Sequence, residues 1–278
     1  MSSLSISQLT PHIGAEIGNV DLKSVSPDQI EEIRAALLEH QVVFFRDQDL
    51  SPEEHIAFAR NFGDLEIHPA TPKSQPNPEV LHIAHGPDSR GSENFWHSDV
   101  TWREKPSLGS ILKAVEVPEV GGDTLFANMA LAYERLPKHL KEKILGRTAV
   151  HDIARVFAAR LNKSPEELRD KYPLMEHPIV RTHPDTGDRV LYVNGAFTSH
   201  IKDMDPDESS ALLAELYRSA WNPEVQCRFR WRAGSLAFWD NRACQHFAAS
   251  DYYPQVRRME RVTIAGDKPY FVPDQDAA

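Results

Sequence analysis

Short β-type runs recur in both halves of this chain, and the helices between them break any strict strand–helix–strand alternation. Residues 41–46, 80–83, 108–117, 124–126, 179–182, 189–193, 228–232, 236–240 and 257–265 read as strands, with Ile13, Ile17 and Val20 as candidates for edge strands. A doubly wound parallel sheet needs regular βαβ units, which this order does not supply. The fold predicted is mainly β with inserted helices, on a double-stranded β-helix (jelly-roll) core. One domain is expected over residues 1–278, with 272–278 as a tail.

The helices announce themselves by their starts. Ser26, Ser51 and Ser164 each precede a proline and stand three residues before Gln29, Glu54 and Glu167, the pattern of a reciprocal cap. Gly63 is read as the stop of the second helix. Residues 128–146 look helical with a break at Pro137, and Asp205-Pro206 opens a helix to about residue 220. Residues 151–163 are weakly patterned and read as a mobile flap. His177, His183 and His200 fall near turns and are expected at the surface.

Bulk properties exclude several classes of function. No apolar run approaches the roughly 20 residues of a spanning helix, and the N-terminus lacks the basic and apolar regions of a signal peptide. Two cysteines and a net charge of −10 fit a cytoplasmic protein that binds neither nucleic acid nor an anionic membrane. A small buried anion site needs only one or two local arginines and is untouched by that argument.

The chemistry-bearing stretch is residues 94–102, where His97 and Asp99 stand two apart among aromatics. In an extended strand, such residues share a face. One imidazole and one carboxylate then make two thirds of the facial site that holds non-haem iron. H-x-D alone occurs often by chance. His246, which follows the strand at 236–240, is a candidate third ligand or an ordinary hydrogen-bonded histidine. Arg257 and Arg261 have even spacing and share one strand face. Facing a sandwich interior they require anions, because a buried unpaired charge is costly. On an edge strand they would merely be solvated. Trp96, Trp102 and Trp239 read as core packing, and Cys244 as a small buried thiol.

Taken in order, His97-x-Asp99, Gly121-Gly122-Asp123-Thr124, Asp240-Asn241-Arg242 with His246, and Arg257 with Arg261 before Gly266-Asp267-Lys268-Pro269 resemble the taurine dioxygenase (TauD/TfdA-type) family. These are Fe(II)- and 2-oxoglutarate-dependent oxygenases, and the likeness runs from Gly14 to Pro269. It implies that His97, Asp99 and His246 are catalytic iron ligands. Arg257 would hold the distal carboxylate of 2-oxoglutarate with Thr124, and Arg261 would serve both co-substrate and substrate. His68 would meet the substrate's anionic group, with Phe157 and Phe197 as pocket walls.

The chain departs from the taurine-using members at Glu93 and Val156, which replace an asparagine and a serine, and at Thr71, which replaces a tyrosine. Glu93 would repel an anion or pair with an amine. The resemblance therefore implies hydroxylation of a small anionic organic substrate (sulfonate such as taurine, alkyl sulfate or carboxylate) by O₂. Sulfur substrates would release sulfite or sulfate and an aldehyde. It also implies a homo-oligomer, dimer or tetramer. A zinc-dependent hydrolase on the same fold, or a non-catalytic cupin-like binding module, would explain the metal triad but leave Arg257 and Thr124 without a task.

Overall fold

The computed structural model describes residues 4–68, 71, 72 and 74–273. Strands β1 (Ser5–Gln8) and β2 (Ala15–Gly18) precede helix α1 (Pro27–His40) and β3 (Val42–Phe45). Helix α2 (Pro52–Ala59) leads to β4 (Leu65–Glu66), β5 (Val80–His85), β6 (Gly109–Glu116) and β7 (Thr124–Asn128). The middle of the chain holds α3 (Met129–Glu134), α4 (Lys138–Ile144), β8 (Thr148–His151), α5 (Ala154–Leu161) and α6 (Pro165–Lys171). Then come β9 (Met175–Pro178), β10 (Val180–Thr182), β11 (Arg189–Leu191), β12 (Thr198–Ile201) and α7 (Pro206–Arg218). β13 (Gln226–Phe229), β14 (Leu236–Asp240), β15 (Cys244–Ala248) and β16 (Arg257–Ile264) close the fold.

The large sheet runs β1-β2-β3-β14-β6-β16-β4, with β5 also paired to β16, and the facing sheet is β13-β7-β15. This is the expected jelly-roll core, and β3 shows why the sequence makes it. All four β3 side chains are buried. Val42 and Phe44 point into the sandwich, where Phe44 stacks on Phe229 of the other sheet at 4.0 Å. Val43 and Phe45 point the other way, into a second core with Ile33 of α1 and Ile56 of α2. A strand covered on both faces must be apolar throughout. Each fully buried Val or Phe stabilises by about 1.5–3 kcal/mol.

The three predicted reciprocal caps are present at Ser26, Ser51 and Ser164. Each contributes about 1 kcal/mol. The hairpin of β10 and β11 and the break between α3 and α4 also match expectation.

Other expectations need correction. Residues 154–161 form α5; its N-cap is Ile153, and its first amide donates instead to Asp152 Oδ1 at 2.8 Å, so the serine–proline start of the other capped helices is absent. Helix α2 ends at Ala59, short of Gly63. Of the three candidate edge residues, Ile17 lies in β2, whereas Ile13 packs into the sandwich core from a turn. β13 lies earlier than the predicted 228–232, so Trp231 leaves the strand but remains buried. His177 and His183 are buried, not exposed: His177 bonds the Arg103 carbonyl at 2.9 Å, and His183 lies 3.1 Å from Asp240. Of the expected tail, 274–278 lie outside the described residues, while the Val272 amide donates to Thr182 Oγ1 at 2.9 Å.

Three buried histidines away from the candidate site link stability to pH. Burial pushes the His55 imidazole down to about 3 and that of His177 to about 4, and holds His151 well below its ordinary value. Each accepts a proton more readily in the unfolded chain. Stability is therefore complete above the unfolded value near 6.5 and is lost as pH falls toward the folded values, by up to about 1.4 kcal/mol per unit per histidine. Urea denaturation at pH 7.5 and pH 5 should show a clear drop in midpoint at the lower pH; equal midpoints would contradict this.

Candidate active site

Residues 94–102 reach the metal triad differently from the strand predicted. Among them only His97 pairs as β-structure, in a single bridge to His246 of β15. The His97 amide donates to the His246 carbonyl at 3.1 Å, and the return bond is 2.8 Å. The chain then turns, with Val100 at φ +47°, a conformation β-branched residues rarely adopt. The Ser98 hydroxyl pins this turn to the Cys244 carbonyl at 2.9 Å. Asn241 receives the Asp99 amide at 3.2 Å and the Trp239 indole N–H at 2.9 Å. It is this turn, and not strand alternation, that aims Asp99 at the point faced by both imidazoles.

His97 Nε2 and His246 Nε2 each lie 4.0 Å from Asp99 Oδ1. All three side chains are buried, and they are the one cluster of this kind among the described residues. The donor set fits a metal ion. His97 Nδ1 donates to the Phe95 carbonyl at 2.9 Å, which leaves Nε2 as a lone pair. Burial lowers both imidazoles, His246 to about 3, so both are neutral at pH 7 as ligation requires. Burial would raise the Asp99 carboxyl, but Arg261, His246, His97 and the Ser110 hydroxyl outweigh it and hold it well below the usual range. Two neutral imidazoles and one carboxylate are the donor set of non-haem Fe(II) sites that retain open positions.

Arg257 and Arg261 do share the inner face of β16, on the side of Met259 in the sandwich core. Arg257 is 5% exposed. Its Nε donates to the Gly122 carbonyl at 3.3 Å, and the rings of Trp231 and Tyr252 lie 5.9 and 6.0 Å from its guanidinium carbon. Its Nη2 is buried without a hydrogen-bond partner, a costly state that an anion's oxygen would relieve. Gly122, at φ +71°, is needed here: a Cβ would sit 3.2 Å from both Arg257 Cδ and Tyr252 Cδ1. Thr124 Oγ1 accepts the Trp231 indole N–H at 2.9 Å. Trp231 thus neighbours two of the three predicted co-substrate residues, Thr124 and Arg257.

Arg261 Nη1 donates to Asp99 Oδ1 at 3.1 Å. It also lines a 170 Å³ cavity beside His97 and Asp99, where the predicted substrate residues His68, Glu93, Val156, Phe157 and Phe197 gather. Thr124, Arg257 and His246 do not line this cavity. Residues not foreseen there include Phe95 and Arg160; Trp102, read from sequence as core packing, lines the cavity as well. Arg160 also bears on Glu93. Its Nη1 lies 3.0 Å from Glu93 Oε1, and His85 Nε2 lies 3.6 Å from the other oxygen. Burial would raise the Glu93 carboxyl, but the Ser92 amide, Arg160 and His85 bring it below its ordinary value. The acid is therefore answered from within the chain, by a residue whose position on α5 no sequence signal marked.

The family described as taurine catabolism dioxygenase TauD, TfdA matches residues 5–263. An alpha-ketoglutarate-dependent sulfate ester dioxygenase of Pseudomonas putida is 38% identical, covering 98% of this chain and 93% of its own. An alkylsulfatase of Acinetobacter baylyi is 36% identical over 95% of this chain and 86% of its own. The crystal structure of a taurine dioxygenase from Burkholderia xenovorans superposes with a TM-score of 0.84 at 40% identity, covering 97% of this chain and 92% of that one. None of these relatives supports the hydrolase or the binding-module reading. The chain is a member of the TauD, TfdA family of Fe(II)- and 2-oxoglutarate-dependent dioxygenases.

Proposed function

We propose that His97, Asp99 and His246 hold Fe(II), that Arg257 and Thr124 hold 2-oxoglutarate, and that the substrate is a small organic anion, with sulfate esters foremost. The observation that carries this is the convergence of the triad beside a buried guanidinium with an unanswered N–H. Sulfate esters are favoured by the Pseudomonas putida relative and by Glu93, whose charge is matched by Arg160 and not held for a substrate amine.

Bound iron, 2-oxoglutarate and O₂ supply an oxidant for an unactivated C–H bond, with succinate and CO₂ as co-products. The chain's own groups bind and orient. Arg257 offers a two-pronged fork to the distal carboxylate. Trp231 occupies a lone pair of Thr124, which directs the threonine O–H outward as a donor. Arg261 takes the substrate's head group. His68, which burial and the nearby Arg261 push down to about 4, acts there as a neutral N–H donor at pH 7. Phe157 and Phe197, ring centroids 6.4 Å apart, exclude water and seat the C–H with Val156. Hydroxylation of a carbon bearing a sulfate ester gives an adduct that collapses to aldehyde and sulfate; a sulfonate gives sulfite.

The same proposal takes residues 1–278 as one oxygenase domain, since site residues span His68 to Arg261. It places the protein in the cytoplasm, supported by two free, buried cysteines. A homo-oligomer, dimer or tetramer, that binds neither nucleic acid nor membrane completes it. Among the described residues no helix is long and apolar enough to cross a membrane.

Anaerobic Fe(II) with 2-oxoglutarate should give a weak visible charge-transfer band, and aerobic sulfate ester should then drive succinate release. His97→Ala should abolish both; turnover with zinc alone would refute the assignment. Arg257→Ala should raise the KM for 2-oxoglutarate by roughly 10- to 100-fold, the loss of a charged hydrogen bond. Trp231→Phe should raise it about fivefold, the loss of a neutral one. Steady-state kinetics in which the KM for the sulfate ester rises equally would contradict both roles.

A further inference from the structure

The cavity beside His97 and Asp99 carries two pairs of opposite charges. Arg261 is joined to Asp99, and Arg160 is joined to Glu93. In the proposed function the first pair is opened, because Asp99 serves the metal and Arg261 the head group. The second pair is closed on itself. Arg160 Nη1 donates to Glu93 Oε1 at 3.0 Å, and Nη2 donates to the Ser92 carbonyl at 2.6 Å. The Ser92 hydroxyl also reaches Glu93 Oε1, at 3.2 Å. Glu93 Oε2 accepts the Ser92 amide at 3.1 Å, and His85 Nε2 lies 3.6 Å from it. Both carboxylate oxygens are thus engaged from within the chain. The guanidinium carbon of Arg160 lies 5.7 Å from the ring centroid of Phe95 and 5.8 Å from that of Phe157, two walls of the same cavity.

We propose that the Glu93–Arg160 pair is a charge filter, which restricts the substrate to a monoanion with no second charged group. The inference rests on the proposed function and narrows it. An ammonium brought into the cavity finds the carboxylate already matched. A second anionic group finds the guanidinium already matched. Either extra charge loses water without gaining a partner, so the site rejects it without any steric clash. Arg160 and Glu93 set specificity by what they withhold, and neither is assigned to iron, co-substrate or head group. Each becomes a binding group when the other is removed.

Succinate release and calorimetric binding can be compared for ethyl sulfate, 2-aminoethyl sulfate and 2-carboxyethyl sulfate, which share one head group. The wild type should prefer ethyl sulfate to both others by about fivefold or more in kcat/KM and in affinity, the worth of one partly screened charged contact. Arg160→Ala should raise the 2-aminoethyl-to-ethyl ratio by about the same factor, and Arg160→Lys, which keeps the charge, should not. Glu93→Gln, made at the other end of the pair, should instead raise the 2-carboxyethyl-to-ethyl ratio. In the double variant, Glu93→Gln with Arg160→Ala, neither ratio should rise. A wild type that takes all three sulfates alike would overturn the filter and leave the oxygenase assignment standing. So would single variants that leave both ratios unmoved. If no sulfate, sulfonate or carboxylate releases succinate above background, the proposed function fails and takes the filter with it.

Discussion

Two backbone hydrogen bonds between His97 and His246 hold the candidate site together. They join a loop from the first half of the chain to a strand near its end, at 3.1 and 2.8 Å. Because both partners are the histidines themselves, the bridge sets the two imidazoles side by side, ring centroids 4.1 Å apart. The following turn, fixed by Ser98 and Asn241, then returns Asp99 to the same point. The jelly roll is the frame that makes this meeting possible. β15 pairs with β7 in the small sheet, and the large sheet supplies Ser110 from β6, whose hydroxyl lies 3.0 Å from Asp99 Oδ2.

A second constraint is the buried charge of Arg257. A guanidinium under two aromatic rings, with one carbonyl for company, is unfavourable in a protein that never meets an anion. Gly122 and Trp231 are shaped around it: the glycine gives it room, and the indole ties its surroundings to Thr124. In the proposed assignment the arrangement is preorganised for a dicarboxylate, and the cost of burying the charge would be recovered on binding. Arg261 differs, because Asp99 already answers it. In the proposed reading a substrate head group at Arg261 would share this guanidinium with Asp99, which would link occupancy of the cavity to the electrostatics of the triad.

Much of this was legible in the residues, for physical reasons. The serine caps and the doubly buried run Val42–Phe45 depend on local pattern, and local pattern survives folding. Strand period alone puts Arg257 and Arg261 on one face. The failures are equally instructive. Strand period puts His97 and Asp99 on one face, but a single bridge and a left-handed Val100, not a strand, bring them together. His177 and His183 lie near turns but are buried because their partners, a carbonyl and Asp240, come from distant segments. The places of Arg160 beside Glu93 and of Trp231 beside Thr124 are products of tertiary packing, which no spacing rule reports.

The central claim is that two imidazoles and one carboxylate, brought together by that bridge, bind one iron. X-ray absorption at the iron edge of the Fe(II)-loaded protein, compared with His246→Ala loaded in the same way, tests it most directly. The account predicts two histidine ligands in the wild type and one in the variant. A wild-type spectrum with fewer than two imidazoles, or one that His246→Ala leaves unchanged, would contradict it.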